Sequence, residues 1–295
     1  MPARTDTSQP AGSVAVGGDG SPIIGEISPA NLVSFVRRLV ATVENWPEVL
    51  TRLGLASAGV KKGDILTKLR SGVSIVAPPS RPAWWPVFEM FVEDVYHLCD
   101  LGDVELGAGD VILDLGAHIG TSALLFSRRW PEATIICVEP NPGTFGYLER
   151  NVTANRVRAR LLNEAVGASE GTTTLFGVDD ASCEASTSFS RPGASREVPV
   201  AAFERLMAGA GGPVKVVKLD CEGAEHELLA TSTPELWRDV DVVLLEYHRT
   251  PDPASEWVAT EARVNALGFE TSWQMPFSWY PGLGMAGFRR PVAAG

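Results

Sequence analysis

The segment VKVVKLDCEGAEHELL, residues 214–229, crowds Lys218, Asp220, Glu222 and Glu225 onto the end of an apolar run and the start of a helical one, with Gly223 at the bend. Acids in a first helical turn complement its dipole, and Lys218 is a partner for Asp220 or Glu222. A capped helix with an ion pair accounts for the residue types but not for their place, because strand ends in an open α/β sheet face the ligand crevice. The next apolar run ends DVVLLEYHRT and brings Glu246 and His248 to the same rim. Two acids and an imidazole on neighbouring strand tips form a general base with its orienting partner, suited to taking the proton of an acceptor hydroxyl. Asp220, Glu222, Glu246 and His248 are therefore the candidate catalytic residues, with neutral His248 as the base near pH 7. Alternatively, Asp220 and Glu246 hold Mg²⁺ and lower the pKa of the hydroxyl. His97 and His118 are competing bases.

A second group surrounds VILDLGAHIGTSALLF, which reads as a buried strand, a glycine turn and a helix start. Gly116 and Gly120 permit the tight turn and close backbone approach, and Thr121 or Ser122 satisfies free helix N–H groups. Asp114, at the strand's end, suits a ligand's ammonium or an ordered water. Glu139 ends the second strand, TIICVEPNP, and is placed to accept hydrogen bonds from both hydroxyls of a ribose, with Pro140 and Asn141 at its turn. The third strand delivers Asn163, Glu164 and Ala165 to the edge where a nucleobase lies, Glu164 accepting from an exocyclic amine and Phe145 or Ala165 packing the ring. Tyr96, from the helical stretch upstream, and Asp220 complete this candidate ligand set. A dinucleotide site would instead show three glycines as G-x-G-x-x-G, and the third is missing here. That disfavours a nicotinamide-dependent oxidoreductase, the competing enzyme class. A binding protein that keeps the nucleotide fold without catalysis is the other alternative.

These residues need a parallel sheet with helices on both faces to position them, and the pattern from Val111 onward supplies one. Strands are predicted at 111–115, 134–138, 159–163, 214–219, 241–246, 269–274 and 284–289, and helices at 120–129, 142–155, 223–230 and 254–267. Between 171 and 200 lie polar, β-prone pieces and a Ser-rich loop. Residues 1–28 lack apolar periodicity and predict a disordered leader. Residues 29–105 predict a cap of amphipathic helices and a β-hairpin around Ser71 and Gly72, followed by one helical face carrying Phe88, Phe91, Val92, Val95, Tyr96 and Cys99. The ligand-binding domain then spans 106–295. In the tail, Trp273, Met275, Phe277, Trp279 and Tyr280 serve either a core or an apolar pocket.

A net charge of −11 argues against a nucleic-acid partner, which needs a basic surface. The longest apolar runs fall far short of a bilayer span, and the N-terminus has no secretion signal, so a cytoplasmic protein is expected. The four cysteines are scattered without a C-x-x-C pair, as reduced thiols are, and Cys137 reads as a small core residue.

The hairpin LRSGVSI, the helix FEMFVEDVY, the turn DLGAHIG, the strand end VEPNP, and the segments NVTAN, NEAVG, VPVAAFERLM, KLDCEGAE and LLEYH resemble, in that order, the FkbM family of S-adenosyl-L-methionine-dependent methyltransferases. The resemblance runs from about Asp64 to Arg289. His118 stands where Asn is more usual, and Phe203 and Glu204 where Leu and Asp are. What the resemblance implies is a doubly wound, mostly parallel seven-stranded Rossmann-like sheet and O-methylation of a small-molecule secondary metabolite or sugar. Asp114, Gly116, Glu139 and Glu164 would then hold the cofactor, with Asp220, Glu222 and Glu246 beside the acceptor. An oligomer is left open.

Overall fold

The computed structural model describes residues 29–60, 63–101, 104–178, 194–250, 252, 255–277 and 282–291. The expected leader over 1–28, Cys183, Trp279 and Tyr280 lie outside the described residues. The N-terminal part opens with α1 (Pro29–Thr42) and α2 (Trp46–Ser57), then β1 (Ile65–Lys68) and β2 (Ser74–Ala77) pair antiparallel as the hairpin signal predicts. Helix α3 (Arg81–Phe88) starts at a Ser80 cap, whose hydroxyl accepts the Ala83 N–H.

The single helical face expected from Phe88 to Cys99 does not form. Helix α3 runs into a π-helical turn over Glu89–Glu93, and the chain breaks at Asp94, which takes a left-handed backbone (φ 50°). The Asp94 carboxylate accepts the Leu98 N–H at 3.2 Å. Aspartate tolerates that conformation and competes for a local N–H, so it ends the helix in spite of an apolar periodicity that continues.

The main unit follows as β3 (Val111–Leu115), α4 (Thr121–Arg129), β4 (Thr134–Val138), α5 (Pro142–Ala154), β5 (Ala159–Leu162), β6 (Ala165–Gly167), β7 (Gly171–Val178), β8 (Ala194–Ala202), α6 (Phe203–Ala208), β9 (Val214–Leu219), α7 (Glu225–Thr231), β10 (Val242–His248), α8 (Trp257–Ala266), β11 (Glu270–Pro276) and β12 (Leu283–Arg289). A seven-stranded sheet runs β11-β12-β10-β9-β3-β4-β5, with β12 antiparallel to both its neighbours and the central strands parallel. This is the expected doubly wound α/β fold. The β-prone insertion forms a separate three-stranded sheet, β6-β8-β7.

Strand β3 is buried along its whole length, as a central parallel strand covered on both faces must be. Side chains alternate across the sheet: Leu113, Leu115, Val217, Leu219, Leu245 and Tyr247 enter one core, while Ile112, Val216, Val242 and Leu244 enter the other together with Met90, Val95 and Tyr96. Asp114, Lys218, Glu246 and His248 follow the second parity. They therefore lie on the face that the N-terminal part covers.

Two asparagines of the NVTAN segment fasten the hairpin to that face. The Asn151 amide accepts from Val76 N–H and donates to the carbonyls of Val76 and Ile119, and Asn155 makes the equivalent pair with Ser74. Each side-chain amide stands in for a missing strand partner of β2, so the hairpin's outer edge carries no orphaned groups there. Among the described residues, no helix is long and apolar enough to cross a membrane.

Candidate active site

The strand order reverses between β3 and β9, and the carboxyl ends of β3, β4, β9 and β10 border one crevice there. Register makes Asp114 and Lys218 direct neighbours on β3 and β9. Both are buried, and Lys218 Nζ lies 3.3 Å from Asp114 and 3.2 Å from Asp220 while donating to the Gly116 carbonyl at 2.6 Å. Burial opposes the lysine's charge, but Asp220, Tyr96 and Asp114 outweigh it and hold its pKa well above the ordinary value. The expected Lys218 to Asp220 pair is present. Its second partner is Asp114 rather than Glu222.

Asp114 corrects an expectation. Its side chain is 0 % exposed; one oxygen accepts the Ser122 hydroxyl at 2.6 Å and the other faces Lys218. A carboxylate so enclosed anchors the glycine turn instead of meeting a ligand's ammonium directly. The same bond takes Ser122 away from capping α4, whose N-cap is Gly120 with no side-chain cap.

The turn Gly116–Gly120 carries left-handed backbones at Gly116, His118 and Gly120 (φ 76°, 50° and 90°). His118 donates its N–H to Glu139 at 3.0 Å. Burial pushes its imidazole down to about 4, and the screened Nδ1 has no partner, so this ring is neutral and a weak base at pH 7. Thr121 is buried at the helix start.

Glu139, at the tip of β4, is buried with both carboxylate oxygens accepting backbone N–H groups, from Asn141 at 2.8 Å and from His118. Burial raises its pKa to about 7 against those donors. Asn141 caps α5 by accepting the Gly143 N–H, and Asn163 donates to the carbonyls of Glu139 and Pro140. Glu164 turns to an ion pair with Arg205 at 2.6 Å, and Ala165 is packed inside the small sheet with Leu175 and Val198. Glu164 thus has one oxygen engaged by Arg205, and Ala165 is covered. Phe145, on α5, is half-buried against the core that holds Leu148 and Cys137.

On the far side, Glu225 organises His248. The Glu225 carboxylate is 0 % exposed; it accepts the Gly223 N–H at 2.8 Å and the His248 N–H at 2.9 Å, and meets His248 Nδ1 at 3.0 Å. The opposite nitrogen, Nε2, then faces Glu222 and Glu246, each 3.7 Å away. Burial works against a charged His248, yet Glu222, Glu225 and Glu246 together raise its pKa well above that of free imidazole. The neutral His248 expected from the sequence is therefore disfavoured, because three carboxylates surround the ring. Burial first, then Asp220, raise Glu246 well above the usual carboxylate range.

Two further groups come from the N-terminal part. Glu89 accepts the Trp85 indole N–H at 2.8 Å, and burial with help from Asp220 and Glu93 lifts it to about 7. Tyr96 is 0 % exposed, its hydroxyl has no hydrogen-bond partner, and its charged neighbours are Lys218, Asp220, Glu246 and Asp114. Sequence reasoning named Tyr96 but missed Glu89, an ordinary acid on a helical pattern. It read Glu225 only as a first-turn acid. His97 stacks against Trp273 at 4.8 Å and pairs with Asp100, away from these carboxylates. A cavity of about 330 Å³ lies by the same strand tip, against Tyr247, Trp257, Gln274 and Leu283. Tyr247 has the opposite parity to Glu246 and His248, so that cavity belongs to the other face of the sheet.

Over 216 residues the chain is 26% identical to Methyltransferase 1 of Beauveria bassiana, covering 65% of this chain and 83% of that protein. Over 78 residues it is 36% identical to the 31-O-demethyl-FK506 methyltransferase FkbM of Streptomyces tacrolimicus, covering 26% of this chain and 30% of that one. The crystal structure of a methyltransferase FkbM from Methylobacillus flagellatus aligns with a TM-score of 0.46 at 11% identity, over 88% of this chain and 59% of that chain. The methyltransferase FkbM domain profile matches residues 114–270. With more than half its length so matched, the chain belongs to the FkbM methyltransferase family.

Proposed function

We propose that this protein is an S-adenosyl-L-methionine-dependent O-methyltransferase that acts in the cytoplasm on a hydroxyl of a small-molecule secondary metabolite. The carrying observation is Glu139, a carboxylate pinned by two backbone N–H groups at the tip of β4, in the crevice that also holds Asp220, Glu222, Glu246 and His248. Pinned acceptors suit paired ribose hydroxyls, which only donate to them, better than a phosphate, which they repel.

The residues fit the cofactor. Gly116, His118, Gly120 and Thr121 form the turn beneath it, Glu139, Pro140 and Asn141 hold the ribose side, and Asp114 acts through Lys218 on the Gly116 carbonyl. Glu164 and Ala165 border the base end, Glu164 only after leaving Arg205. Tyr96 and Asp220 sit where the cofactor half of the crevice meets the acceptor half. When bound, the cofactor supplies an electrophilic methyl group. The chain's own residues orient the acceptor hydroxyl and receive its proton, which must leave as the new oxygen–carbon bond forms. With His248 encircled by carboxylates, that proton goes to a carboxylate of the rim.

An oxygen acceptor is supported by the relative that is a 31-O-demethyl-FK506 methyltransferase. Calorimetry with S-adenosylmethionine and, separately, NADH tests the reading. Binding of the first alone, with a methyl mass increment on a hydroxylated acceptor in a metabolite screen, is the expected result. Binding of NADH alone would reject it in favour of an oxidoreductase. Cofactor binding without any methylated product would leave a binding protein.

A further inference from the structure

We propose that Asp220, Glu246 and His248 hold a divalent cation of the manganese or zinc class beside the acceptor hydroxyl, with Glu225 as the residue that aims His248 at it. The inference rests on the methyltransferase reading for its role in catalysis and on the geometry alone for the site. One ligand atom from each of the three residues lies within 4.8 Å of the others. They come from two neighbouring strand tips, β9 and β10, so the backbone holds them together whether or not an ion is bound.

The orientation of His248 is the first argument. A metal-ligating histidine typically gives its other ring nitrogen to a carboxylate or carbonyl, which sets the tautomer and the ring plane. Here Nδ1 is committed to Glu225 at 3.0 Å, and the same carboxylate holds the His248 N–H. The ring can neither flip nor swing out without breaking the Nδ1 contact, and the backbone N–H keeps the carboxylate in place to re-form it. Nε2 is left facing Glu246 at 3.7 Å, too long for a hydrogen bond and a usual separation for two ligands on one ion.

Charge is the second. Asp220, Glu246, Glu222 and Glu89 act on one another across the crevice, and Lys218 is already engaged by Asp114, Asp220 and the Gly116 carbonyl. Carboxylates this close repel unless a positive group joins them, a charge that the His248 imidazolium supplies in the free protein and that an ion displacing its Nε2 proton would supply instead. An independent sign is Tyr96, wholly buried, with an unpartnered hydroxyl among Asp220, Glu246 and Lys218. A buried hydroxyl without a partner marks a missing polar group, and water on a bound ion would supply one.

The ligand set chooses the ion. One imidazole with two carboxylates suits Mn²⁺, Zn²⁺ or Fe²⁺, whereas Mg²⁺ prefers oxygen alone. The alternative of Mg²⁺ on Asp220 and Glu246 thus gives way to an ion that accepts nitrogen. A cation here lowers the pKa of a neighbouring hydroxyl. As the acceptor oxygen bonds the methyl carbon, the carbon–sulfur bond of the S-adenosyl-L-methionine sulfonium breaks, its electron pair stays on sulfur in the thioether that leaves, and the hydroxyl proton passes to Glu222, outside the three ligands.

The test is titration of the chelator-stripped full chain with MnCl₂ and, separately, ZnCl₂ by calorimetry, and with MnCl₂ by Mn²⁺ electron paramagnetic resonance, with MgCl₂ in parallel. Saturable binding of one Mn²⁺ per chain, tighter than Mg²⁺, is expected. It should weaken at least about tenfold in E246Q and in H248Q, and by about 10- to 100-fold in E225Q. All three are checked for native circular dichroism, and D220N substitutes for any that misfolds. Absence of saturable Mn²⁺ and Zn²⁺ binding would overturn the proposal, as would binding unchanged in the variants, which would mark surface carboxylates, or tighter Mg²⁺ than Mn²⁺. S-adenosylmethionine titrated into the same samples separates the two readings. Cofactor binding without metal binding rejects the site and leaves the methyltransferase, and metal binding without cofactor binding does the reverse.

Discussion

A Cβ at Gly116 would stand 1.8 Å from the carbonyl oxygen of Asp220. The glycine turn after β3 and the acid-bearing turn after β9 therefore press backbone to backbone, and Lys218 ties them by donating to the Gly116 carbonyl while pairing with Asp220. Backbone contact and the lysine thus join the two turns directly.

Gly116→Ala should be among the most damaging single changes. It combines a backbone clash with a positive φ, and a loss of about 3 kcal/mol or more is expected. Gly72 has φ 90° but nothing within 4 Å of its absent Cβ, so Gly72→Ala should cost only about 1–2 kcal/mol. Thermal and urea denaturation of the pair measures the contact term by difference. Equal losses would show that strain, not contact, dominates at Gly116.

Lys218→Met keeps the volume and removes the charge. Asp114, with no exposed surface, then loses its counter-ion, and a destabilisation of about 3–5 kcal/mol follows. A companion Asp114→Asn, Lys218→Met double variant should recover part of it, read from denaturant midpoints. No recovery would mean that Lys218 acts mainly on the carbonyls.

Cofactor binding should carry a proton signature from Glu139. Its pKa near 7 in the free protein means that it is largely protonated below that pH. Ribose hydroxyls donate to the carboxylate and favour the ionised form, so binding expels the proton. Affinity should rise between about pH 6 and 8, and the calorimetric enthalpy should vary with the buffer's ionisation enthalpy. Glu139→Gln should abolish both effects and weaken binding by about 1.5–3 kcal/mol. A buffer-independent enthalpy in the wild type would remove Glu139 from the ribose.

Glu246→Gln and His248→Gln should lower turnover by about 10²- to 10⁴-fold with cofactor affinity nearly intact. Asp220→Asn should differ. Asp220 pairs with Lys218 at 3.2 Å, and the lysine holds the cofactor turn, so both turnover and cofactor affinity should fall. Steady-state kinetics with cofactor titration distinguishes the patterns, and an Asp220 variant that loses only turnover would uncouple the two halves.

Local pattern alone determined much of this protein. Apolar runs closed by glycine turns gave β3 and β9, and one closed by a proline turn gave β4, each with the residue bounds observed, because buried central strands read continuously and end sharply. The apolar run also brought Glu246 and His248 to one rim, although β10 extends to His248, two residues past its expected end at 246, and it is this extension that gives Tyr247 the opposite parity. What tertiary structure decided was partnership. Asp114 was read toward a ligand, yet register brings it to Lys218 across the β3 and β9 pairing. Glu225 was read as a helix acid, yet its carboxylate takes the imidazole and the N–H of a residue on the next strand. Glu89 and Tyr96 reach the crevice because a π-helical turn and the left-handed Asp94 redirect a stretch whose periodicity reads as a plain helix. A side chain's type and its neighbours in sequence fix its parity and its propensity. Its charge state and its task depend on groups a hundred residues away that only the packed sheet brings within a few ångströms.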